Sequence, residues 1–276
     1  MITTPITPPE PAGVLSLEAT LLARFKTAVT ILHASEQDIF VNLERAHALN
    51  AVARFLFWDV GCLFAGIVVE EQEKEWHLTY LFLLPLKCWV HVGVAIPSDR
   101  PALLSISADV HAADWYEREV EDLFGLHFEQ HPRLGDFVLH DQVWQEGLAP
   151  MRRTFDLRQP RLERRPNQAW RPTLVVRDPG AFAMPLGPVY EGGLGESVHF
   201  LLETVGEDVI RASPRLFYKY RAVEKLAEEK TVMAAELLAE HFSAKSAFAH
   251  SLAYCQAIER GAGVEIPPRA SRLRVA

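Results

Sequence analysis

Residues 62–96 read CLFAGIVVEEQEKEWHLTYLFLLPLKCWVHVGVAI. Three apolar runs, CLFAGIVVE, WHLTYLFLL and WVHVGVAI, are rich in the β-branched and aromatic residues that suit a pleated, half-buried surface. The charged EEQEKE of 70–75 fits a solvated hairpin turn between the first two, and Pro85 and Lys87 break the second from the third. The stretch predicts a meander of strands. Its greasiest part, Leu78–Ile96, is interrupted by Pro85, Lys87 and His91. A bilayer span needs about 20 predominantly apolar residues, so this is sheet core.

Upstream, apolar residues at 17, 21, 22, 25, 29 and 32 predict an amphipathic helix over Leu17–His33. DIFVNLE (38–44) alternates as a short strand, and Arg45–Trp58 is helical again. Downstream, DVHAADWYEREVEDLF (109–124) predicts a helix with Trp115, Tyr116, Val120, Leu123 and Phe124 on its apolar face, stopped by Gly125. Together these make an α+β domain over 14–155, an α/β-sandwich-like unit with a mixed sheet and helices on one face.

The proline-rich residues 1–13 read as a disordered tail, with neither the basic start nor the apolar run of a signal peptide. From 156 to 188, six prolines and six arginines are interspersed, giving an extended connector. It is either a plain linker or a basic segment laid across an acidic partner. Beyond it, SVHFLLETV and DVIRA flank Gly206-Glu207 as a hairpin ended by Ser213-Pro214. Helical patterning then covers about 218–230 and 232–260 before Pro267-Pro268, and RASRLRVA starts another helix. Residues 189–276 thus predict a β-hairpin plus an incomplete helical bundle with a large apolar face left bare.

Composition narrows the function. The 276 residues carry a formal charge of −8 with a pI near 5.8, whereas nucleic-acid binding needs a basic surface. Cys62, Cys88 and Cys255 are too scattered in sequence for a disulfide framework or a chelating pair, which fits a reducing cytoplasm. A freestanding enzyme finds no nucleophile–base pair, phosphate loop or metal spacing here.

Two stretches invite a functional reading. In the helix at 109–124, Asp114, Arg118 and Asp122 are successive i,i+4 neighbours, so the arginine can bridge two carboxylates. Glu117, Arg118, Glu119 and Asp122 are either a solvated charged face or an ion-pair network that docks the following segment. The second stretch is Arg221–His250. On a helix Ser243 and Ser246 share one face, with His250 four residues on. Cysteines there would make a two-thiolate pocket beside an imidazole. Glu224 is a helix-surface ion-pair partner or, if buried, a group with a raised pKa suited to proton movement.

The run Glu117-Arg118-Glu119-Val120-Glu121-Asp122-Leu123-Phe124, followed by Gly125, His131 and Arg133, resembles the signature of the thirty-kilodalton subunit of respiratory complex I. Gly135 stands where that signature usually has arginine. Ala149-Pro150-Met151-Arg152-Arg153-Thr154-Phe155 is similar to the basic segment that follows it. The second half resembles the start of the forty-nine-kilodalton complex I subunit and of nickel–iron hydrogenase large subunits. The matching stretches are 185–192 (PLGPVYEG), 218–227 (YKYRAVEKLA) and 249–259 (AHSLAYCQAIE). Fusion of the two halves is similar to the large subunit of formate hydrogenlyase and hydrogenase-4 type complexes. The hydrogenase pattern is Arg-Gly-x-Glu, sixteen residues, then Arg-x-Cys-Gly-x-Cys-x-x-x-His. Here Arg221 and Glu224 keep their places, His241 follows the same gap, Ser243 and Ser246 replace both cysteines, and His250 remains.

The resemblance implies a subunit of a membrane-associated NADH:quinone oxidoreductase-like or hydrogenase-related complex, peripheral on the cytoplasmic face of the membrane and not catalytic alone. Its partners would be an iron–sulfur relay subunit, membrane subunits and a separate chain completing the helix bundle, with no nucleic acid. Nickel and iron in such sites need soft thiolates and a serine hydroxyl is a hard donor; the families' second cysteine pair lies beyond Ala276, so no metal is expected. Iron–sulfur clusters would sit in the partners. Quinone is the small molecule the resemblance admits, in a pocket of Tyr190, Arg221, Ser243, Ser246 and His250, with Glu224 as proton relay. Glu117, Arg118, Glu119, Asp122, His131, Arg152 and Arg153 are expected at the docking surface for other subunits. The competing expectation is a truncated or split structural module.

Overall fold

The computed structural model describes residues 14–85, 88–135, 137–139, 144, 148–156, 158, 175–190, 197–218 and 220–274. Lys87, the tail at 1–13 and most of the connector lie outside them. The chain divides into two compact units, Met1–Pro166 and Asn167–Ala276.

Unit 1 is built on β4 (Glu75–Leu84) and β5 (Cys88–Pro97), antiparallel and in register from Glu75 opposite Pro97 to Leu84 opposite Cys88. Strict alternation buries Trp76, Leu78, Tyr80, Phe82 and Leu84 on one face, and Val90, Val92, Val94 and Ile96 beside them. β3 (Leu63–Glu71) pairs antiparallel with β4, and β2 (Asp38–Leu43) runs parallel to β5. With β1 (Val29–Ala34) the sheet order is β1-β2-β5-β4-β3, a mixed sheet. Leu17 and Leu21 of α1 (Val14–Phe25) and Leu49, Val52 and Ala53 of α2 (Leu49–Arg54) enter one core cluster with the buried strand residues. Two short parallel strands, β6 (Ala102–Leu104) and β7 (His127–Glu129), bracket α3 (Ala113–Phe124), which adds Ala113 and Val120 to the same cluster.

The expected helix over Leu17–His33 is corrected. The helix ends at Phe25, a 3₁₀ turn follows over Lys26–Ala28, and the last five residues belong to β1, which pairs with β2 from Val29 opposite Leu43 to Ala34 opposite Ile39. Val29, Thr30 and Ile31 are β-branched, and the ladder they gain outweighs a helical periodicity that they fit by coincidence. The helix expected from Asp109 starts instead at Ala113, because the backbone at 105–107 is held by a side chain of α3 described below.

Unit 2 holds an antiparallel sheet, β10-β9-β8, of β8 (Ala181–Tyr190), β9 (Ser197–Val205) and β10 (Asp208–Arg215). The hairpin falls where Gly206, at φ 61°, supplies the left-handed turn, but its second strand continues through Ser213-Pro214. β8 lies partly inside the stretch read as connector. Buried Glu203 on β9 fixes the incoming chain, accepting from Val175 N (2.8 Å) and Val176 N (2.6 Å).

The helical part is α4 (Val223–Ala227), α5 (Val232–Glu240), α6 (Ala247–Gly261) and α7 (Pro268–Leu273). α5 opens on Thr231, whose hydroxyl accepts from Ala234 N. It closes on His241, whose backbone N (3.1 Å) and Nδ1 (2.6 Å) both reach Leu237 O. The continuous helix expected over 232–260 is therefore two helices with a turn between them. No helix among the described residues is long and apolar enough to cross a membrane.

Candidate functional site

The charged face of α3 turns inward. Glu117 is fully buried: Oε2 lies 2.5 Å from Ser105 Oγ, which donates to the ionised carboxylate, and Oε1 accepts from Ile106 N at 2.9 Å. Ser105 Oγ lies 2.7 Å from Ser107 Oγ. One turn earlier, Asp114 is buried and receives Arg133 Nη2 at 2.6 Å. The His131 ring, also without side-chain exposure, lies between the two acids, with Nε2 3.4 Å from Asp114 Oδ1 and 3.8 Å from Glu117 Oε2. Its Nδ1 accepts from Arg133 N at 3.0 Å, which leaves a neutral ring with its proton on Nε2, facing the carboxylates.

Further along α3, Glu121 accepts from Gly135 N at 2.8 Å. A single oxygen of Asp122 accepts from Phe137 N (3.1 Å), Val138 N (2.7 Å) and Leu139 N (3.1 Å). Arg118 reaches Gly135 O at 3.3 Å and stacks over the Phe137 ring at 4.2 Å. At the helix end Gly125 adopts φ 70°, and Arg152 donates to Phe124 O at 2.8 Å while lying over Trp76. A Cβ on Gly125 would meet Arg152 Nη2 at 3.3 Å. These residues bind the chain's own 131–135, 137–139 and 149–155 segments to α3. Burial sets the electrostatics. It pushes Glu117 up to about 7 against the opposing pull of Ser105 and Ile106, raises Glu121 and Asp122 despite their backbone donors, and lowers His131.

Of the residues expected at a docking surface, Glu117 and His131 turn inward: neither side chain is exposed in this chain. Asp122 and Arg152 spend the contacts described on the chain itself. Glu119 is half-buried on α3, and Arg153 is exposed, its backbone N–H donating to Glu71 at 2.7 Å. The sequence did not point to Ser105, Ser107 or Tyr80 as members of this cluster, since nothing in their spacing announces a fold-back onto Glu117.

The Arg221–His250 frame is looser. Exposed Arg221 donates to His241 O at 3.2 Å. A cavity of about 270 Å³ is lined by Arg221, Val223, Leu226, Leu238, Glu240, His241 and Ala247. Glu224, Ser243, Ser246 and His250 are not part of that lining. Ser243 precedes a 3₁₀ turn at Ala244–Ser246, so the two serines do not share a helix face, because α5 has already ended at Glu240. His250 packs its ring edge-to-face with Phe242 at 5.0 Å. Glu224 is exposed, while its neighbour Lys225 is buried and pairs with Glu228 at 2.8 Å. Burial of Glu224 is thus not supplied by the described residues. Tyr190 ends β8 opposite Ser197, and its side chain is outside the described residues. Among the described residues no group of three or more His, Cys, Asp or Glu is arranged to hold a metal. Two serines and one imidazole do not fit a hydrogenase-type nickel–iron centre, which is held by thiolates.

A mixed sheet covered by helices on one face, with an acidic helix folded over its own downstream segment, defines the class. Residues 41–161 match the family described as "Respiratory-chain NADH dehydrogenase, 30 Kd subunit". Over longer spans the chain is 30% identical to formate hydrogenlyase subunit 5 of Escherichia coli (strain K12), covering 83% of this chain and 41% of the relative. It is 34% identical to hydrogenase-4 component G of the same organism (74% and 38%) and 31% identical to the NADH-quinone oxidoreductase C/D subunit of Bdellovibrio bacteriovorus (67% and 31%). The first likeness takes in more of the chain than unit 1 holds, so it runs into unit 2. The chain spans less than half the length of each of these relatives.

Proposed function

We propose that this chain is a subunit of a membrane-associated oxidoreductase assembly of the complex I-like or hydrogenase-4-like kind, peripheral on the cytoplasmic face. It joins an iron–sulfur subunit to membrane subunits and carries no nickel–iron site. The observation that carries the reading is a likeness to formate hydrogenlyase subunit 5 that takes in more of the chain than unit 1 holds; the lack of a nickel–iron site rests on reading Ser243 and Ser246 as replacements for the metal-binding cysteines. The bare helices of unit 2 support it. α5, α6 and α7 contain no buried residue, and Met233, Leu237 and Phe248 are strongly exposed. Apolar faces of that kind call for a partner, and a separate helical chain completing the bundle suits them. Quinone belongs to this proposal as a ligand of the assembly, near Arg221, Tyr190 and His250. In unit 1, Arg153 and Glu119 remain the candidates for direct contact with a partner.

The test is affinity purification of the tagged chain from its native membranes. Co-purification with a small iron–sulfur subunit and multi-spanning membrane subunits is expected, and recovery of free monomer alone overturns the reading. A second reading, a structural module with no part in electron or proton movement, is favoured by one observation: the cavity takes in Arg221 but leaves out Glu224 and His250. Normal turnover by an assembly carrying Glu224→Gln and His250→Ala would select it.

A further inference from the structure

The cluster behind α3 holds more ionisable groups than a purely structural latch needs. We propose that Asp114, Glu117 and His131 form a proton-binding site that takes up one proton from solvent on Glu117 and so redirects a hydrogen-bond chain through Ser105 to Ser107. In the ionised state Ser105 O–H donates to Glu117 Oε2 across the 2.5 Å contact. When the carboxyl gains the proton, Glu117 O–H donates to Ser105 Oγ, and the serine's own hydrogen turns to Ser107 Oγ, 2.7 Å away. One proton is gained, no heavy atom changes partner, and Ile106 N still donates to Oε1.

Every element packed on Glu117 bears on this. From its own helix come the second carboxylate, Asp114, and the Arg118 charge; from the turn after β7 come His131 and Arg133. From β4 comes Tyr80, fully buried and electrostatically coupled to Glu117. Tyr80 OH and Asp114 Oδ1 are buried without a hydrogen-bond partner among the described residues, so the cluster holds unused polar capacity around the titrating group. The Asp114 charge adds to burial in disfavouring the ionised form of Glu117. Arg133 commits to Asp114, which leaves Glu117 as the acid that keeps the proton. Burial places that titration near 7, within the physiological range. The site ties protonation to two turns, 105–109 before α3 and 131–135 after β7.

The test is infrared difference spectroscopy of the full-length protein between pH 5.5 and 8.5, conditions set around the value of about 7. The carbonyl stretch of a protonated carboxylic acid is expected to disappear at high pH with a midpoint near neutrality. The band should be missing in Glu117→Gln, and in Ser105→Ala, which loses a donor to the ionised form, its midpoint should move to higher pH. Absence of the band in the wild type, or its survival in Glu117→Gln, overturns the proposal. Loss of the band in Asp114→Asn with retention in Glu117→Gln assigns the proton to Asp114 and overturns it as well.

Discussion

Unit 1 and unit 2 both bury polar groups, but only unit 1 buries a large apolar core among the described residues. In unit 1 the alternate residues of β4 and β5 meet Leu17, Leu21, Leu49 and Val52 in one apolar cluster. Among the described residues of unit 2, Leu201 is the buried hydrophobe, and the rest of its buried set is Ser197, Glu203, Thr204 and Lys225. Burying apolar surface is the main favourable term in folding, while a buried hydrogen-bonded polar group adds a modest net gain, about 1 kcal/mol, after its desolvation. Unit 1 therefore carries its own reason to fold. Unit 2 is held by strand ladders, helix ends and a few side-chain bonds, such as Tyr254 OH to Val232 O at 2.9 Å and Ser251 Oγ to Glu236 at 3.0 Å.

The contrast is broken most forcefully from inside the sheet. Phe82 is fully buried, its ring edge-to-face with Phe64, so Phe82→Ala should destabilise unit 1 by about 3–5 kcal/mol through lost transfer energy and an unfilled cavity. Denaturant titration of the full chain should then show the unit 1 transition move far down, with unit 2 signals little changed. If both units shift together, they fold as one cooperative body and the contrast fails.

A smaller effect, of unusual sign, comes from Glu117. Its folded value of about 7 lies above its ordinary 4.5, so between those pH values the folded state binds the proton more tightly. Its stabilising contribution is greatest at low pH and is lost as pH rises towards 7. At about 1.4 kcal/mol per pH unit, the loss totals roughly 3 kcal/mol. Neutral Gln avoids it, so Glu117→Gln should gain on the wild type by up to that amount between pH 5 and pH 8. His131 works in the opposite direction. Its value is lowered, so stability it contributes above about 6.5 is lost as pH falls. The difference between wild type and Glu117→Gln, measured by denaturation at several pH values, isolates the Glu117 part. A difference that does not grow with pH would contradict the burial argument.

Unit 1 was largely legible because an alternating strand buried on one face leaves a period-two signature, and WHLTYLFLL shows it plainly. Val29–His33 misled because so short a stretch cannot distinguish a helix face from a short strand until its pairing partner is known. Glu117 was illegible for another reason. A run such as EREVED reads either as a solvated helix face or as a network docking the following segment, and it is the fold-back of 105–107 and 137–139 that decides between them. In unit 2 the order of elements was legible, but the break after Glu240 was not. No glycine or proline marks it, and it depends on His241 capping α5 and on Arg221 reaching in from outside the helix.

Asp122 gives a further test of unit 1. One of its oxygens takes three consecutive backbone N–H groups, and Asp122→Ala would leave all three without that acceptor. A buried donor left unmet costs about 1–3 kcal/mol. The 137–139 segment can regain water by loosening, so a loss of about 2 kcal/mol is expected, together with faster amide exchange at Val138. Unchanged exchange there would mean that the segment is held by something other than the carboxylate.

The smallest effect in the isolated chain is the one that best separates the two units. Phe248 is 92% exposed at the start of α6, so Phe248→Ser removes almost no burial, and the stability of the free chain should stay within about 0.5 kcal/mol of wild type. Inside an assembly the same side chain is where a partner helix would gain its apolar contact, and truncating an anchor of that kind costs about 2 kcal/mol or more of binding. Normal stability with poor recovery in the membrane pull-down is therefore the expected pattern. A large loss of stability in the free chain would mean that Phe248 already packs at home. Undiminished recovery would mean that the partner sits elsewhere on unit 2.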